Sequence, residues 1–178
     1  MKLRSLLFVP GDSDKKFAKA AECGADVLIC DLEDAVAPGQ KDAARELVGQ
    51  WVGEADNVAP ALFVRVNPLD TGLTEADLAA VVKPGLAGIV VPKANGAQDI
   101  ETIGRMIDPL EQSAGLPANS VRIVVVATET PAAMFALGSY APAHPRLIGL
   151  TWGAEDLGAA IGITSNKEDD GSWTFPFL

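Results

Sequence analysis

The chain has 178 residues, 48% of them hydrophobic and 21% charged, which is the composition of a globular protein with one substantial core rather than of a disordered chain. Its 24 acidic and 14 basic residues give a formal net charge of −10, which repels phosphate backbones and anionic lipid headgroups. We therefore expect no nucleic acid and no membrane among its partners. Cys23 and Cys30 lack the spacing of a metal knuckle or a redox pair, which favours reduced thiols in a cytoplasmic protein.

Short apolar runs alternate with helical patterns along the chain. The predicted strands are Arg4–Val9, Asp26–Cys30, Ala61–Val66, Gly88–Val91, a run that begins at Val121, and Leu147–Thr151. The predicted helices end near Glu22, span roughly Lys41–Trp51, Glu75–Val82 and Gln98–Gln112, and begin at Pro131 and near Glu155. The pattern is therefore a series of six βα units.

Strands and helices that alternate about every 30 residues indicate parallel βα units with right-handed crossovers. A closed (β/α)₈ barrel typically needs about 250 residues, so the chain is short for one. The pattern leaves two architectures open: a doubly wound open sheet, or a TIM barrel of which this chain supplies about the first six units. We see no linker, and we expect residues 1–178 to form a single domain, partial if the fold is a barrel.

Carboxylates stand where two of the predicted strands end. The run from Val121 leads to Glu129, and Leu147–Thr151 is followed by Glu155 and Asp156. In barrels and open α/β sheets alike, ligands bind at the carboxyl ends of the strands, so these acids are site candidates. Two such strand ends suggest a hard divalent cation. The alternative is helix capping, because a carboxylate at a helix start accepts backbone hydrogen bonds.

Six short motifs follow one another at the predicted strand ends. They are Arg4–Asp12 (RSLLFVPGD), Asp31–Pro38 (DLEDAVAP), Arg65–Pro68 (RVNP), Val91–Lys93 (VPK), Glu129–Thr130 (ET) and Gly153–Asp156 (GAED). In this order they resemble the citrate lyase β-subunit-like family, within the wider group of metal-dependent aldolases and acyl-CoA lyases. The resemblance extends over nearly the whole chain and implies the partial (β/α)₈ barrel rather than the open sheet.

The resemblance implies a Mg²⁺ site formed by Glu129 and Asp156. Mg²⁺ is commonly held by one or two carboxylates while it keeps several waters, so two side chains are enough. The resemblance also makes Arg65 the arginine that binds the substrate carboxylate, a role that suits a planar guanidinium. An ion pair of Arg65 with Asp31, Glu33 or Asp34 is the structural alternative, and both can hold at once.

Five further residues stand at the predicted strand ends. Glu33 and Asp34 are expected to orient metal-bound waters or Arg65, or else to be ordinary acids at a helix N-terminus. Gly153 and Ala154 are small, so their N–H groups could receive a substrate carboxylate, or they form only a tight turn. Lys93 invites a Schiff-base interpretation, but the surrounding acids would raise its pKa, so a structural or phosphate-contacting lysine is expected.

The implied activity is a Mg²⁺-dependent carbon–carbon lyase that acts on a citryl-, malyl- or citramalyl-type thioester of CoA or an acyl carrier. The small keto acid would be oxaloacetate, glyoxylate or pyruvate. In this family the acid–base group is an aspartate of the C-terminal segment, often from a neighbouring subunit, and no residue here matches it. We expect residues beyond Leu178 to carry it and to complete the barrel, and the resemblance implies a homo-oligomer, a trimer. The alternatives are a non-catalytic module that binds metal and keto acid, and a class II aldolase for free keto acids.

Overall fold

The structure is a computed structural model that describes residues 2–55, 60–153 and 155–173. Within these ranges six strands alternate with six α-helices. The strands are β1 (Leu6–Pro10), β2 (Val27–Asp31), β3 (Ala61–Arg65), β4 (Leu86–Val91), β5 (Arg122–Val126) and β6 (Leu147–Thr151). The helices are α1 (Asp14–Ala21), α2 (Lys41–Glu54), α3 (Thr74–Val81), α4 (Ala97–Ser113), α5 (Pro131–Ala136) and α6 (Glu155–Ile161).

Local sequence signals fix where the helices begin. Ser13 caps α1, because its side chain accepts a hydrogen bond from the N–H of Lys16. Thr130 caps α5 in the same way, with the N–H of Ala133 as donor, and Pro131 takes the first helical position, where its missing N–H costs nothing. These caps set the points at which the chain turns from a strand end into the next helix.

The strand order decides between the two predicted architectures. All neighbouring strands are parallel, and their order in the sheet is β1-β2-β3-β4-β5-β6, the order of the sequence. A doubly wound sheet reverses direction at a switch point, whereas a (β/α)₈ barrel adds each strand beside the last. The described residues therefore form six consecutive βα units of the TIM-barrel kind, as predicted.

The sheet has an apolar cluster on each face. The larger cluster lies between the sheet and the helices, with Leu28, Val64 and Ile123 among its fully buried members. The smaller cluster is on the opposite face, the interior of a barrel, and consists of Val27, Ile29, Phe63, Val90, Val124 and Val126. Because strands β2 to β5 are apolar on both faces, they make a rigid platform for whatever lies at their ends.

The two edge strands are much more exposed than the central ones. Every residue of β2 is buried, whereas Phe8 of β1 and Leu150 of β6 are each 48% exposed. Beyond β6, Trp152 packs edge-on against Trp173 with their rings 5.3 Å apart. The expectation that further residues complete the barrel stays a prediction, and Phe175, Phe177 and Leu178 lie outside the described residues.

Two other expectations concern the cysteines and the membrane. Cys23 is exposed and Cys30 is buried, and both are free thiols. No helix in the described part of the chain is long and apolar enough to cross a membrane.

Candidate active site

The sheet register brings the predicted site residues to one edge. Asp31 at the end of β2 pairs with Arg65 at the end of β3, and Arg65 pairs with Val90 of β4. On the other side, Val126 of β5 pairs with Thr151 of β6. Glu33, Lys93 and Glu129 lie in the loops that follow β2, β4 and β5, and Asp156 lies in the first turn of α6, which follows β6. These four residues are brought to one edge although up to 123 positions separate them (156 − 33).

Arg65 is held by an acid on the neighbouring strand. Its Nε and Nη2 donate to the two carboxylate oxygens of Asp31, each at a distance of 2.7 Å. Asp31 is itself fixed, because it also accepts from the N–H groups of Glu33 and Ala35 at 2.9 and 3.1 Å. The ring of Phe8 lies under the guanidinium, 4.9 Å from its carbon. The predicted ion pair of Arg65 therefore exists, and it presents the guanidinium in one orientation.

Glu33 lies between the two cations of the site. Nη1 of Arg65 is 2.9 Å from its Oε2, and its Oε1 accepts from the ammonium of Lys93. The arginine contact is not aligned as a hydrogen bond, so Oε2 is buried without a donor among the described residues. Burial raises the pKa of Glu33, and the hydrogen bond from Lys93 only partly opposes this rise.

Glu33 and Asp34 are not acids at a helix start. They lie in a loop that precedes the short 3₁₀ turn Pro38–Gln40, and α2 begins only at Lys41. The amine of Lys41 anchors that loop by donating to the carbonyls of Leu32 and Glu33, each at a distance of 2.7 Å. Asp34 is the open member of the pair: its side chain is 58% exposed and lies 3.4 Å from the Lys93 amine. The helix-terminus alternative for these acids is therefore wrong.

Glu129 is buried at the end of the β5 unit, with 5% of its surface exposed. Its Oε2 accepts a 2.7 Å hydrogen bond from the backbone N–H of Lys93. It does not cap α5, because Thr130 does so. Burial raises the pKa of Glu129 to about 7; the Lys93 N–H opposes the rise, while the negative charges of Asp156 and Glu33 add to it.

Asp156 stands in the first turn of α6, directly after β6. Its Oδ1 lies 3.1 Å from the amine of Lys93, so its carboxylate faces the site. With 32% of the side chain exposed, it is open on one side. The negative charge of Asp156 also contributes to the raised pKa of Glu129.

Gly153 makes room for Glu129. A Cβ at this position would lie 2.7 Å from Cγ of Glu129 and 3.0 Å from its Oε1, closer than real Cβ contacts. The N–H of Gly153 is already engaged, because it donates to Oγ1 of Thr128 at 2.9 Å. The expectation that this N–H is free for a substrate carboxylate is therefore wrong for this arrangement, and the need for glycine is one of space. Ala154, the other predicted small residue, lies outside the described residues.

Lys93 has a more central place in the site than the sequence indicated. Its ammonium contacts Glu33, Asp34 and Asp156, and its backbone N–H contacts Glu129. Burial would lower the pKa of Lys93, but the hydrogen bond and charge of Glu33 and the contact with Asp156 raise it well above its ordinary value. The amine therefore stays protonated, as the acid-rich sequence around it predicted, and cannot serve as a Schiff-base nucleophile at neutral pH.

The charge balance of the site favours a divalent cation. Five carboxylates converge there, those of Asp31, Glu33, Asp34, Glu129 and Asp156, against the three cationic side chains Arg65, Lys93 and Lys41. The difference, 5 − 3, is two negative charges. No group of three metal-ligating side chains closes on one point within residues 2–55, 60–153 and 155–173. The buried Glu129 and the partly open Asp156 fit Mg²⁺, which is commonly held by one or two carboxylates and would fill its remaining positions with water and substrate oxygens.

A second polar network supports the loop after Arg65. Asp77 of α3 accepts from both the backbone N–H and the side-chain amide of Asn67, at 2.8 and 2.7 Å, and from Nε of Arg45 at 2.9 Å. Asp77 and Asn67 are buried. The loop that they hold separates two clefts of about 480 and 420 Å³, and Pro68, Asp70 and Lys93 line both. Open space thus adjoins the charged cluster on either side of this loop.

Known proteins are similar to this chain in sequence and in the arrangement of their βα units. Residues 4–171 match the model of the HpcH/HpaI aldolase/citrate lyase family. The citrate lyase subunit beta of Haemophilus influenzae is 38% identical over 157 residues, which are 88% of this chain and 54% of that protein. A (3S)-malyl-CoA thioesterase of Cereibacter sphaeroides is 35% identical over 159 residues, 89% of this chain and 51% of that protein. The chain thus spans about half the length of the curated relatives it matches.

Solved structures of similar proteins also match this chain. The citrate lyase beta subunit of Mycobacterium tuberculosis, in complex with oxaloacetate and magnesium, is 32% identical, with a TM-score of 0.70 over 95% of this chain and 66% of that one. The CitE protein of the same organism, with magnesium and acetoacetate, is 31% identical, with a TM-score of 0.75 over 98% of this chain and 65% of that one. A Haloferax volcanii malate synthase, 21% identical with a TM-score of 0.80 over 97% of this chain and 55% of that one, shares the fold.

Proposed function

The chain belongs to the HpcH/HpaI aldolase/citrate lyase family, and we propose that it provides the metal and keto-acid site of a Mg²⁺-dependent carbon–carbon lyase. The observation that carries the proposal is the placement of Glu129 and Asp156 against Lys93 at the carboxyl ends of the strands, with Glu33 between Lys93 and Arg65. The substrate class is a citryl-, malyl- or citramalyl-type thioester, and the small product is oxaloacetate, glyoxylate or pyruvate.

Glu129 and Asp156 are the residues that would hold the metal. Glu129 is set rigidly by burial, by the space at Gly153 and by the N–H of Lys93, while Asp156 is half-open. A bound Mg²⁺ would polarise the keto-acid carbonyl and offset negative charge on its carboxylate. Glu33, with one buried oxygen that lacks a donor, is suited to accept a hydrogen bond from water at the site.

Arg65 would bind the keto-acid carboxylate. Of the five N–H groups of a guanidinium, the one on Nε and one on Nη2 donate to Asp31. The other Nη hydrogens remain for a ligand, since the contact of Nη1 with Glu33 is not an aligned hydrogen bond. The fork to Asp31 keeps the planar group oriented, so little side-chain entropy is lost when a carboxylate binds.

Cleavage also needs a proton acceptor. In a retro-aldol step a base takes the hydroxyl proton, the carbon–carbon bond breaks to leave the keto acid, and the thioester enolate then takes up a proton. Among the described acids of the site Asp34 is the most open, with Lys93 beside it, so it is the first residue of this chain to test as the base. The family's own acid–base aspartate, in the C-terminal segment, has no counterpart here.

The test is keto-acid release from citryl-, malyl- and citramalyl-CoA, each with Mg²⁺ and with EDTA. We expect keto-acid release from one of these thioesters, and we expect this release to depend on Mg²⁺ and to be lost in Glu129→Gln. Parallel incubations use the free acids in place of the thioesters. Keto-acid release from a free acid would identify a class II aldolase instead. Asp34→Asn distinguishes the base, because loss of turnover with unchanged keto-acid binding assigns the role to Asp34. Binding of pyruvate and Mg²⁺ with no turnover of any substrate would replace the lyase by a non-catalytic module.

The cellular location rests on the cysteine usage, and the oligomeric state rests on the family resemblance. We propose a cytoplasmic protein, with free thiols at Cys23 and Cys30, that works as a homo-oligomer, a trimer in the first instance. The molar mass from light scattering tests the trimer, and a monomer across the micromolar range contradicts it.

A further inference from the structure

Lys93 makes separate contacts with both proposed metal ligands. Its backbone N–H donates to Oε2 of Glu129 at 2.7 Å, and its ammonium lies 3.1 Å from Oδ1 of Asp156. The same ammonium also contacts Glu33 and lies 3.4 Å from Asp34. One residue therefore bridges the loops that follow β2, β4, β5 and β6.

The backbone of Lys93 is strained in the conformation that allows these contacts. Its φ is 51°, and among the described residues other than glycine only Lys93 and Asn119 have a positive φ. Left-handed backbone is unfavourable for a residue with a Cβ, so the surrounding contacts must hold it in place. The strain thus accompanies the double contact.

The ammonium of Lys93 is also placed as a cation among carboxylates. Its side chain is 27% exposed and contacts three acids, Glu33 and Asp34 in the loop after β2 and Asp156 in the first turn of α6. Glu33 and Asp34 can keep an ammonium bound without Asp156, because their loop is anchored independently by Lys41 and Asp31. Asp156, on α6, has no other basic partner among the described residues. These contacts suit a cation that can release one of its three acids and retain the other two.

We propose that Lys93 is a positioning residue that occupies the place of the divalent cation on Asp156 in the metal-free site and releases Asp156 when Mg²⁺ binds. This inference rests on the proposed function of Glu129 and Asp156 as metal ligands. The backbone N–H keeps Glu129 in place in both states, while the side chain stays with Glu33 and Asp34. The ammonium consequently holds the acids together without metal and competes with metal for one ligand.

The experiment compares Lys93→Met and Lys93→Gly with Lys19→Met, a matched loss of one lysine charge at an exposed position of α1. Lys93→Gly removes the ammonium, keeps the N–H and relieves the positive φ, so it separates charge from strain. Without metal at pH 8 we expect Lys93→Met to melt at a lower temperature than Lys19→Met. In calorimetry both Lys93 variants should bind Mg²⁺ roughly threefold to tenfold more tightly than the wild type, as the loss of a partly buried competing ion pair predicts.

A double variant tests the specific contact. In an Asp156→Asn background the loss of melting temperature caused by Lys93→Met should shrink, because the ion pair is already broken. Mg²⁺ affinity that is unchanged or weaker in both Lys93 variants, or an undiminished loss in the Asp156→Asn background, overturns the inference. Failure of the proposed function gives a different result: Mg²⁺ binding that is absent in the wild type, or indifferent to Glu129→Gln.

Discussion

The two ends of the sheet each carry an arginine among acids, and the two clusters are built differently. At the amino ends of the strands, Arg146 donates to both oxygens of Glu111, at 2.6 and 2.7 Å, and these two residues are 1% and 2% exposed. Glu111 accepts three further hydrogen bonds, from the N–H groups of Asn119 and Val121 and from the hydroxyl of Ser120. Burial opposes ionisation, yet the hydrogen bonds of Arg146 and Val121 lower the pKa of Glu111.

At the carboxyl ends the acids are in excess, and the balance of effects is reversed. Burial raises the pKa of both Glu33 and Glu129, and one oxygen of Glu33 lacks a donor among the described residues. The same sheet thus has at one end a cluster in which both carboxylate oxygens of Glu111 are hydrogen-bonded, although Nε of Arg146 has no acceptor among the described residues, and at the other end a cluster whose acids are under-compensated. In barrels of this kind, residues at the amino-terminal face serve stability and residues at the carboxyl ends serve chemistry. The contrast leads us to assign stability to Arg146 and ligand binding to Glu129.

The largest expected effect on stability comes from breaking the ion pair of Arg146 with Glu111. Arg146→Met leaves the charge of Glu111 buried without its partner, and we expect the free energy of unfolding to fall by about 3–5 kcal/mol. Urea denaturation with a circular dichroism readout measures this change. The double variant Arg146→Met with Glu111→Leu should recover part of the loss, because no charge stays buried. A loss below about 1 kcal/mol in the single variant would contradict the stabilising role.

The next effect is the pH dependence of stability that Glu129 causes. Its pKa is about 7 in the folded protein and near the ordinary 4.5 when unfolded, so the folded state binds more protons between these values. The metal-free protein should therefore lose stability as the pH rises from about 4.5 to 7. Glu129→Gln removes this penalty and should be more stable than the wild type at pH 8, by at most about 3 kcal/mol. Identical pH profiles of the two proteins, from urea denaturation in EDTA, would contradict this account.

A smaller effect is expected at Arg65. Arg65→Lys keeps the charge and can still pair with Asp31, but it loses the fork that a carboxylate ligand needs. The affinity for pyruvate, measured by calorimetry with Mg²⁺ present, should fall by about 1.5–3 kcal/mol. If Arg65→Lys lowers the melting temperature and leaves pyruvate binding unchanged, the ion pair with Asp31 is the whole role of Arg65.

Much of the fold could be predicted because its signals are local. The predicted β6 matches the observed strand, and α4 differs by one residue at each end, because apolar periodicity and turn residues mark both. The first strand was placed two residues too early. Arg4 was expected in it, but its N–H and guanidinium bind the carboxylate of Asp26 instead of continuing the ladder.

The site could be predicted in part. The strand ends and the family resemblance brought Arg65, Glu129 and Asp156 together without a structure. The role of Lys93 could not be found in the same way, because its contacts reach residues 36 to 63 positions away and require a positive φ that no sequence signal announces. For Gly153 the sequence indicated a small residue but not its reason, which is the side chain of Glu129 against it.

The most direct test of the central claim is a calorimetric titration of the metal-free protein with Mg²⁺ at pH 8. Glu129→Gln and Asp156→Asn should each weaken Mg²⁺ binding about tenfold or more, equivalent to about 1.4 kcal/mol or more. Asp34→Asn is the matched control, an acid of the same cluster that is not a proposed ligand, and its affinity should stay within about threefold of the wild type. Wild-type affinity in both ligand variants would contradict the assignment of the metal site to the carboxyl ends of β5 and β6.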